Sequence, residues 1–363
     1  MVPDLPVRDV RVAAYRVPTA SPESDGTLEW CATTVVVVHA TAGGATGLGY
    51  TYADVATARL VHDTLREVVV GRDALAVGAS FDAMVHAIRN LGRPGIASMA
   101  IAAVDNALWD LKARVLDLPL CTLLGCVRDS VPVYGSGGFT SYDEAALAAQ
   151  LRGWVAGGIR DVKMKVGRDA AADAARVHAA RTAIGAAGLF VDANGGYARK
   201  QALALAERFA SDGVTWFEEP VSSDDLAGLA LLRDRAPPGM EVAAGEYGYD
   251  LGYFRAMLEA GAVDVLQADA TRCAGITGFM RVAALCEAFH VPLSSHCAPA
   301  LHVHACCAAT PVRHLEYFFD HVRLEGMVFD GPPSPQDGLL APDRSRPGLG
   351  LELRTADVRR FAA

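Results

Sequence analysis

Leu189-Phe190-Val191-Asp192, Thr215-Trp216-Phe217-Glu218 and Glu241-Val242-Ala243-Ala244-Gly245-Glu246 are three short apolar runs, each closing on a carboxylate. The closing acids stand 26 and then 28 residues apart, about the length of one strand-plus-helix unit of an α/β barrel. Successive units place Asp192, Glu218 and Glu246 side by side at one rim of a parallel sheet. Three carboxylates held together repel one another and need a cation to stay ionised at neutral pH. An all-oxygen donor set favours a hard ion, which makes Mg²⁺ the natural candidate.

The same alternation extends outward from these runs. Val131–Gly135, Asp161–Val166, Val263–Asp269, Val291–His296 and His314–Phe318 bring the strand-like segments to eight. Between them lie Ala-rich helical patterns such as 142–157, 170–188 and 200–213, which end in Gly. Continuous apolar strands joined by helical crossovers predict a parallel barrel. Pro- and Gly-rich sequence after the eighth run suggests that the last unit lacks its helix. Residues 1–128 follow another plan. Asp9–Pro18 and Thr33–Ala40 read as strands, and the Gly-rich stretch Thr41–Tyr52 as a hairpin into a third. Helical patterns follow at about 55–70, 80–91 and 96–116. This predicts an α+β domain, with a barrel over 129–324 and a turn-rich tail, 325–363, packing back on the first domain. Pro18–Trp30 is polar and without period, and reads as a long loop open to a functional role.

Composition bounds the function. The chain has 363 residues, 52% of them hydrophobic, and a net charge of −9. It has no basic stripe to neutralise phosphates, which argues against nucleic acid. No uncharged apolar stretch reaches the length of a membrane span. The N-terminus lacks the basic and apolar regions of a signal peptide. The eight cysteines form neither a CxxC pair nor a zinc-ligand spacing, and read as small buried residues in a reducing cytoplasm.

Other residues give the triad its chemistry. In Lys163-Met164-Lys165, strand alternation sends both lysines to the barrel interior. A lysine near other cations and out of water has its ammonium disfavoured and can act as a base. Asp269 closes the sixth run and His296 the seventh, so neighbouring strand ends bring a carboxylate to an imidazole. Glu316, in the eighth run, completes the rim. Bases of different type on opposite sides of a divalent cation suit removal of a proton α to a carboxylate, with the metal holding the resulting enediolate. Gly135-Ser136-Gly137-Gly138 is a weak match to a phosphate cradle and reads as the first strand–helix loop, with Ser136 a candidate substrate contact. His302-Val303-His304 reads as structural. Thr271 and Arg272 divide between a substrate contact and a surface loop.

Lys163-Met164-Lys165, Val191-Asp192-Ala193-Asn194, Phe217-Glu218-Glu219-Pro220, Gly245-Glu246, Gln267-Ala268-Asp269, Ser295-His296 and Leu315-Glu316, together with the helix over 97–113, make the chain resemble the mandelate racemase subgroup of the enolase superfamily along essentially its whole length. The resemblance implies a (β/α)7β barrel under an α+β capping domain, with Mg²⁺ on Asp192, Glu218 and Glu246. It implies Lys165 as base on one face and His296, paired with Asp269, on the other. Lys163 would neutralise a substrate carboxylate and Glu316, protonated, would hydrogen-bond it, with Asn194 a metal-side or substrate contact. It further implies a small-molecule carboxylate substrate and a homo-oligomer, dimer or octamer.

Three outcomes share this machinery: dehydration of an acid sugar to a 2-keto-3-deoxy acid, racemisation or epimerisation by 1,1-proton transfer, and cycloisomerisation. The sixth run ends in Asp269, with His296 following, where relatives that cycloisomerise or epimerise dipeptides usually carry lysine, which disfavours those two activities. Dehydration is the commoner activity among relatives with this residue set and is favoured. A barrel that binds a ligand without catalysis is the alternative from another class.

Overall fold

In the computed structural model, which describes residues 5–363, the chain opens with an antiparallel sheet of three strands, β1 (Asp9–Ser24), β2 (Glu29–Ala42) and β3 (Ala45–Tyr52). The helix Ile96–Val115 packs against β2 and β3 and carries four buried polar residues, of which Asp105, Asn106 and Asp110 reach furthest across the molecule. Asp105 accepts from the Thr277 backbone and hydroxyl at 2.9 and 2.7 Å. Asn106 donates to Tyr50 O and accepts from the Ile276 N–H. Asp110 accepts from Leu48 and Leu349 N–H groups and pairs with Arg114. Between them these groups bond the cap sheet, the barrel and the tail, so one helix fixes all three together.

Eight parallel strands then close on themselves: β4 (Val131–Gly137), β5 (Asp161–Lys165), β6 (Gly188–Asp192), β7 (Val214–Glu218), β8 (Glu241–Ala244), β9 (Val265–Ala268), β10 (Leu293–Ser295) and β11 (Val312–Phe318). Pairing of β11 with β4, in the register Leu315↔Val133 through Phe318↔Ser136, completes the ring. The inward side chains change character along the strands. Tyr134, Phe190, Trp216, Ala243 and Val265 form one buried apolar cluster, with Phe190 stacked on Trp216 at 5.3 Å and His314 at 5.2 Å from Trp216. Two residues further along their strands come Ser136, Asp192 and Glu218. The barrel is therefore floored with rings and lined above them with oxygen.

Three expectations need correction. Pro18–Trp30 is not a loop: β1 and β2 continue through it as a hairpin, irregular only between Pro18 and Glu23, with its tip at residues 25–28. The segment lacks period because its far end is covered by the barrel, where Glu23 and Ser24 are buried. Gly26 sits so close to the barrel that a Cβ there would stand 2.3 Å from Ala193 O. Secondly, the eighth strand is followed by a helix, Phe319–Val328, since the prolines begin only at Pro332. Thirdly, six of the eight cysteines are buried, but Cys31 is exposed and Cys126 partly so; all eight are free.

The tail from Phe329 onward does two things. Leu339–Leu340 pairs antiparallel with the start of β4, while Glu352 meets Arg114 and Ala362 bridges to Tyr15 in the cap. Among the described residues no helix is long and apolar enough to cross a membrane.

Candidate active site

The strand ends β5 to β11 and the hairpin tip enclose a cavity of about 390 Å³. Asp25, Leu28 and Trp30 reach it from the cap, while Lys165, Asn194, Glu246, Asp269, Arg272, His296, Cys297, Glu316, Phe318 and His321 reach it from the barrel. Asp192, Glu218 and Lys163 lie immediately behind this wall and are fully buried.

Simple alternation explains how Asp192 and Glu218 arrive, since each follows an inward aromatic by two residues. Glu246 arrives differently. Ala243 faces inward, so strict alternation would turn Glu246 outward. Gly245 breaks the alternation at φ +132°, in a place where a Cβ would meet Gln267 O at 2.2 Å, and only glycine fits there. The three acids each offer an oxygen within 4.8 Å of the others.

Their surroundings are charged and dry. Lys163 Nζ lies 2.5 Å from Glu218, 2.9 Å from Glu316 and 3.5 Å from Asp192. Lys165 Nζ lies 2.5 Å from Asp192 Oδ2. Burial opposes the Asp192 carboxylate, but Lys165 and then Lys163 outweigh it and bring its pKa down to about 2. For Glu218, burial and then the Asp192 charge win, pushing its pKa up to about 8. Glu246 Oε2 is buried without a hydrogen bond, although His296 Nε2 stands 3.3 Å away. A crowded all-oxygen set with one carboxyl forced towards neutrality and one oxygen unsatisfied has the chemistry of a divalent-cation site. The residues fit Mg²⁺.

Two neighbouring groups feel the same charges. Burial raises the Glu316 pKa, but Lys163, followed by His296, overrides it and holds the carboxyl well below its usual range. Burial likewise opposes the Lys165 ammonium, yet Asp192 more than compensates, and the protein groups by themselves keep Lys165 protonated.

On the other side of the cavity, His296 Nδ1 donates to Asp269 Oδ2 at 2.8 Å, leaving Nε2 to face the cavity. The Thr271 N–H donates to Asp269 Oδ1 at 2.6 Å and orients the carboxylate. Burial disfavours the imidazolium, but Glu246 and Asp269 raise the His296 pKa overall. Arg272, left undecided by sequence, reaches the cavity wall, 3.2 Å from Glu246 and stacked over Tyr247.

Asn194 lines the cavity with a buried, unpartnered Oδ1, and its N–H donates to Asp192 Oδ1. Ser136 stands level with Lys163 in the β4–β5 register, outside the cavity lining. His302 and His304 accept from the Ala270 and Cys121 N–H groups and are structural. Sequence reading gave no role to Cys297, His321 or Glu219. His321 stacks on Tyr52 at 3.6 Å, with burial lowering its pKa to about 4. Glu219 is buried among Glu246, Asp192 and Glu218 with Oε1 unpartnered. Its signal was the second acid of Phe217-Glu218-Glu219-Pro220; Cys297 and His321 had none beyond residue type.

Comparison with known proteins gives the family. Residues 8–125 match the mandelate racemase / muconate lactonizing enzyme N-terminal domain, and 146–358 the enolase C-terminal domain-like family. The chain is 35% identical to 3,6-anhydro-alpha-L-galactonate cycloisomerase of Streptomyces coelicolor, over 98% of this chain and 99% of the relative. It is 30% identical to L-talarate/galactarate dehydratase of Salmonella typhimurium, over 95% of this chain and 88% of that one. A crystal structure of the dehydratase liganded with Mg and L-lyxarohydroxamate superposes with a TM-score of 0.90 at 28% identity, covering 99% and 93% of the two chains. A mandelate racemase/muconate lactonizing enzyme-like protein from Rubrobacter xylanophilus superposes at 0.97 with 54% identity, covering 98% and 99%. With both family domains matched in order and the acids, lysines and His–Asp pair gathered at one rim, this chain belongs to the mandelate racemase subgroup of the enolase superfamily.

Proposed function

We propose that this enzyme abstracts the proton α to the carboxylate of an acid sugar and dehydrates it to a 2-keto-3-deoxy acid. The observation that carries this reading is the placement of Lys165 and His296 on β5 and just beyond β10, on different sides of one cavity, with Asp192, Glu218 and Glu246 on the arc between them. Asp192, Glu218 and Glu246 would hold Mg²⁺, which would supply an electrophile for the substrate carboxylate and offset the negative charge that keeps the lysines protonated. Lys165 takes the C2 proton from one face. His296, its tautomer set by Asp269, protonates the departing 3-hydroxyl from the other. Lys163, one layer down, holds Glu218 and Glu316 in place and lends positive charge to the carboxylate end. Asn194 offers its free Oδ1 to a sugar hydroxyl. Ser136, beside Lys163, supports that layer.

Cycloisomerisation is the second reading. It is favoured by the 35% identity, over nearly both full lengths, to an enzyme of that activity. Racemisation or epimerisation would use the same opposed bases. Incubating the enzyme and Mg²⁺ with a library of mono- and diacid sugars, and reading 2-keto acid formation, tests the proposal. Turnover to a 2-keto-3-deoxy product supports dehydration; ring opening or closure without a keto acid overturns it in favour of cycloisomerisation. Cytoplasmic placement, consistent with eight free thiols, and assembly as a dimer or octamer belong to the same proposal. Sedimentation equilibrium measures the assembly.

A further inference from the structure

Immediately after His296 the backbone turns through two consecutive left-handed residues, Cys297 at φ 51° and Ala298 at φ 42°. Neighbours in a strand normally point to opposite faces. Here the turn brings both His296 and Cys297 to the cavity wall. Cys297 Sγ lies 3.2 Å from His296 Nε2, and Glu316 Oε2 lies 3.9 Å from the same nitrogen. The three donor atoms all fall within 4.8 Å of one another, and all three residues are buried. Tetrahedral Zn²⁺, with bonds of about 2.0–2.3 Å, requires ligand–ligand edges of roughly 3.3–3.8 Å. The two observed edges bracket that range.

The supporting contacts also suit zinc. His296 is held at Nδ1 by Asp269, the carboxylate–histidine arrangement that orients an imidazole ligand. Glu316 Oε2 is fixed by the Cys297 N–H at 2.8 Å, while its other oxygen pairs with Lys163 at 2.9 Å. The fourth position opens on the cavity. The acid triad offers oxygen alone and suits a hard ion; this trio offers nitrogen, sulfur and oxygen and suits a softer one.

We propose that His296, Cys297 and Glu316 form a second metal site, selective for Zn²⁺ over Mg²⁺, whose occupation shuts down catalysis. Binding forms a Zn–S bond and releases the thiol proton to solvent, with no change of oxidation state. The inhibition rests on the role proposed above for His296, because bound Zn²⁺ occupies Nε2; the metal site itself does not depend on that role.

The test uses the full-length enzyme saturated with Mg²⁺. Co²⁺ as a probe should give a near-ultraviolet thiolate-to-metal absorption band in the wild type that is absent from Cys297→Ser and Cys297→Ala. Zn²⁺ titrated against a chromophoric chelator should bind the wild type about tenfold or more tighter than either variant. A wild type without the band, a band that persists in both variants, or equal Zn²⁺ affinity in all three would overturn the site. Exchange of the C2 proton in the epimer whose exchange is lost in His296→Asn gives a separate readout. Zn²⁺ should abolish it in the wild type at concentrations that leave Cys297→Ser active. Zn²⁺ bound at Cys297 with exchange undiminished would overturn the inhibition and the role of His296, leaving the metal site standing.

Discussion

At the floor of the barrel Tyr134, Phe190 and Trp216 point inward; two residues further along the same three strands, Ser136, Asp192 and Glu218 do. The same step separates His314 from Glu316 on β11. One end of the interior is a plug of rings, and the other a layer of charge that only a cation and a substrate complete. The rings hold the ring of strands closed without water, and the dryness they create is what makes the charges above them strong. Trp216 belongs to both ends, because its indole Nε1 donates to Glu218 Oε2 at 2.9 Å. So does Lys163, whose ammonium stands 5.4 Å from the Tyr134 ring. The difference between the ends separates residues that keep the protein folded from residues that make it work, with those two as the hinge between them.

If that separation is sound, substitutions at the charged end change turnover and those at the floor change stability. Lys165→Ala and His296→Asn should each lower turnover by roughly 10²–10⁴-fold, with a melting temperature close to wild type; a large loss of stability in either would blur the two ends. Trp216→Ala should cost about 3–5 kcal/mol in urea unfolding, and Trp216→Phe much less, while still weakening activity through the lost hydrogen bond to Glu218. Full activity in Trp216→Phe would cut the link between floor and site. Glu218→Gln should weaken Mg²⁺ binding by about tenfold or more in calorimetry; unchanged affinity would remove Glu218 from the donor set.

A further effect, on stability and not on turnover, lies away from the barrel interior. Burial raises the Glu325 carboxyl to about 8, although Tyr50 and the Ala300 N–H both donate to it. A carboxyl whose folded pKa lies above its ordinary 4.5 is most stabilising below pH 4.5. That stability is lost as pH rises towards 8, by at most about 1.4 kcal/mol per pH unit. Glu325→Gln should flatten thermal stability across this window. A melting curve with the same slope in wild type and variant would show that the carboxyl is not held neutral.

Much of this was legible in the sequence, and the reason is the period. A parallel barrel repeats one unit, so acids that close apolar runs at equal intervals name both the fold and the rim. Asp192, Glu218, Asp269 and His296 followed from strand ends alone. Glu246 joins the cluster for a reason that alternation misses, since its direction depends on Gly245. The hairpin over 18–30 was misread because its period is erased where the barrel covers it. The pull of Lys163 on the Glu316 carboxyl could not be read, because Lys163 is close in space and distant in sequence. Cys297 stayed invisible for the same kind of reason: a buried cysteine gains significance only from what a left-handed turn sets beside it.

The central claim is that Lys165 and His296 act on one substrate from opposite faces, so that each reaches the C2 proton of a different epimer. Deuterium incorporation at C2, followed by NMR in D₂O with Mg²⁺ on a pair of C2-epimeric acid sugars, tests it most directly. Lys165→Ala should lose exchange with one epimer and keep it with the other, and His296→Asn should show the reverse. Equal loss with both epimers in both variants would contradict the division of labour between the two sides of the cavity.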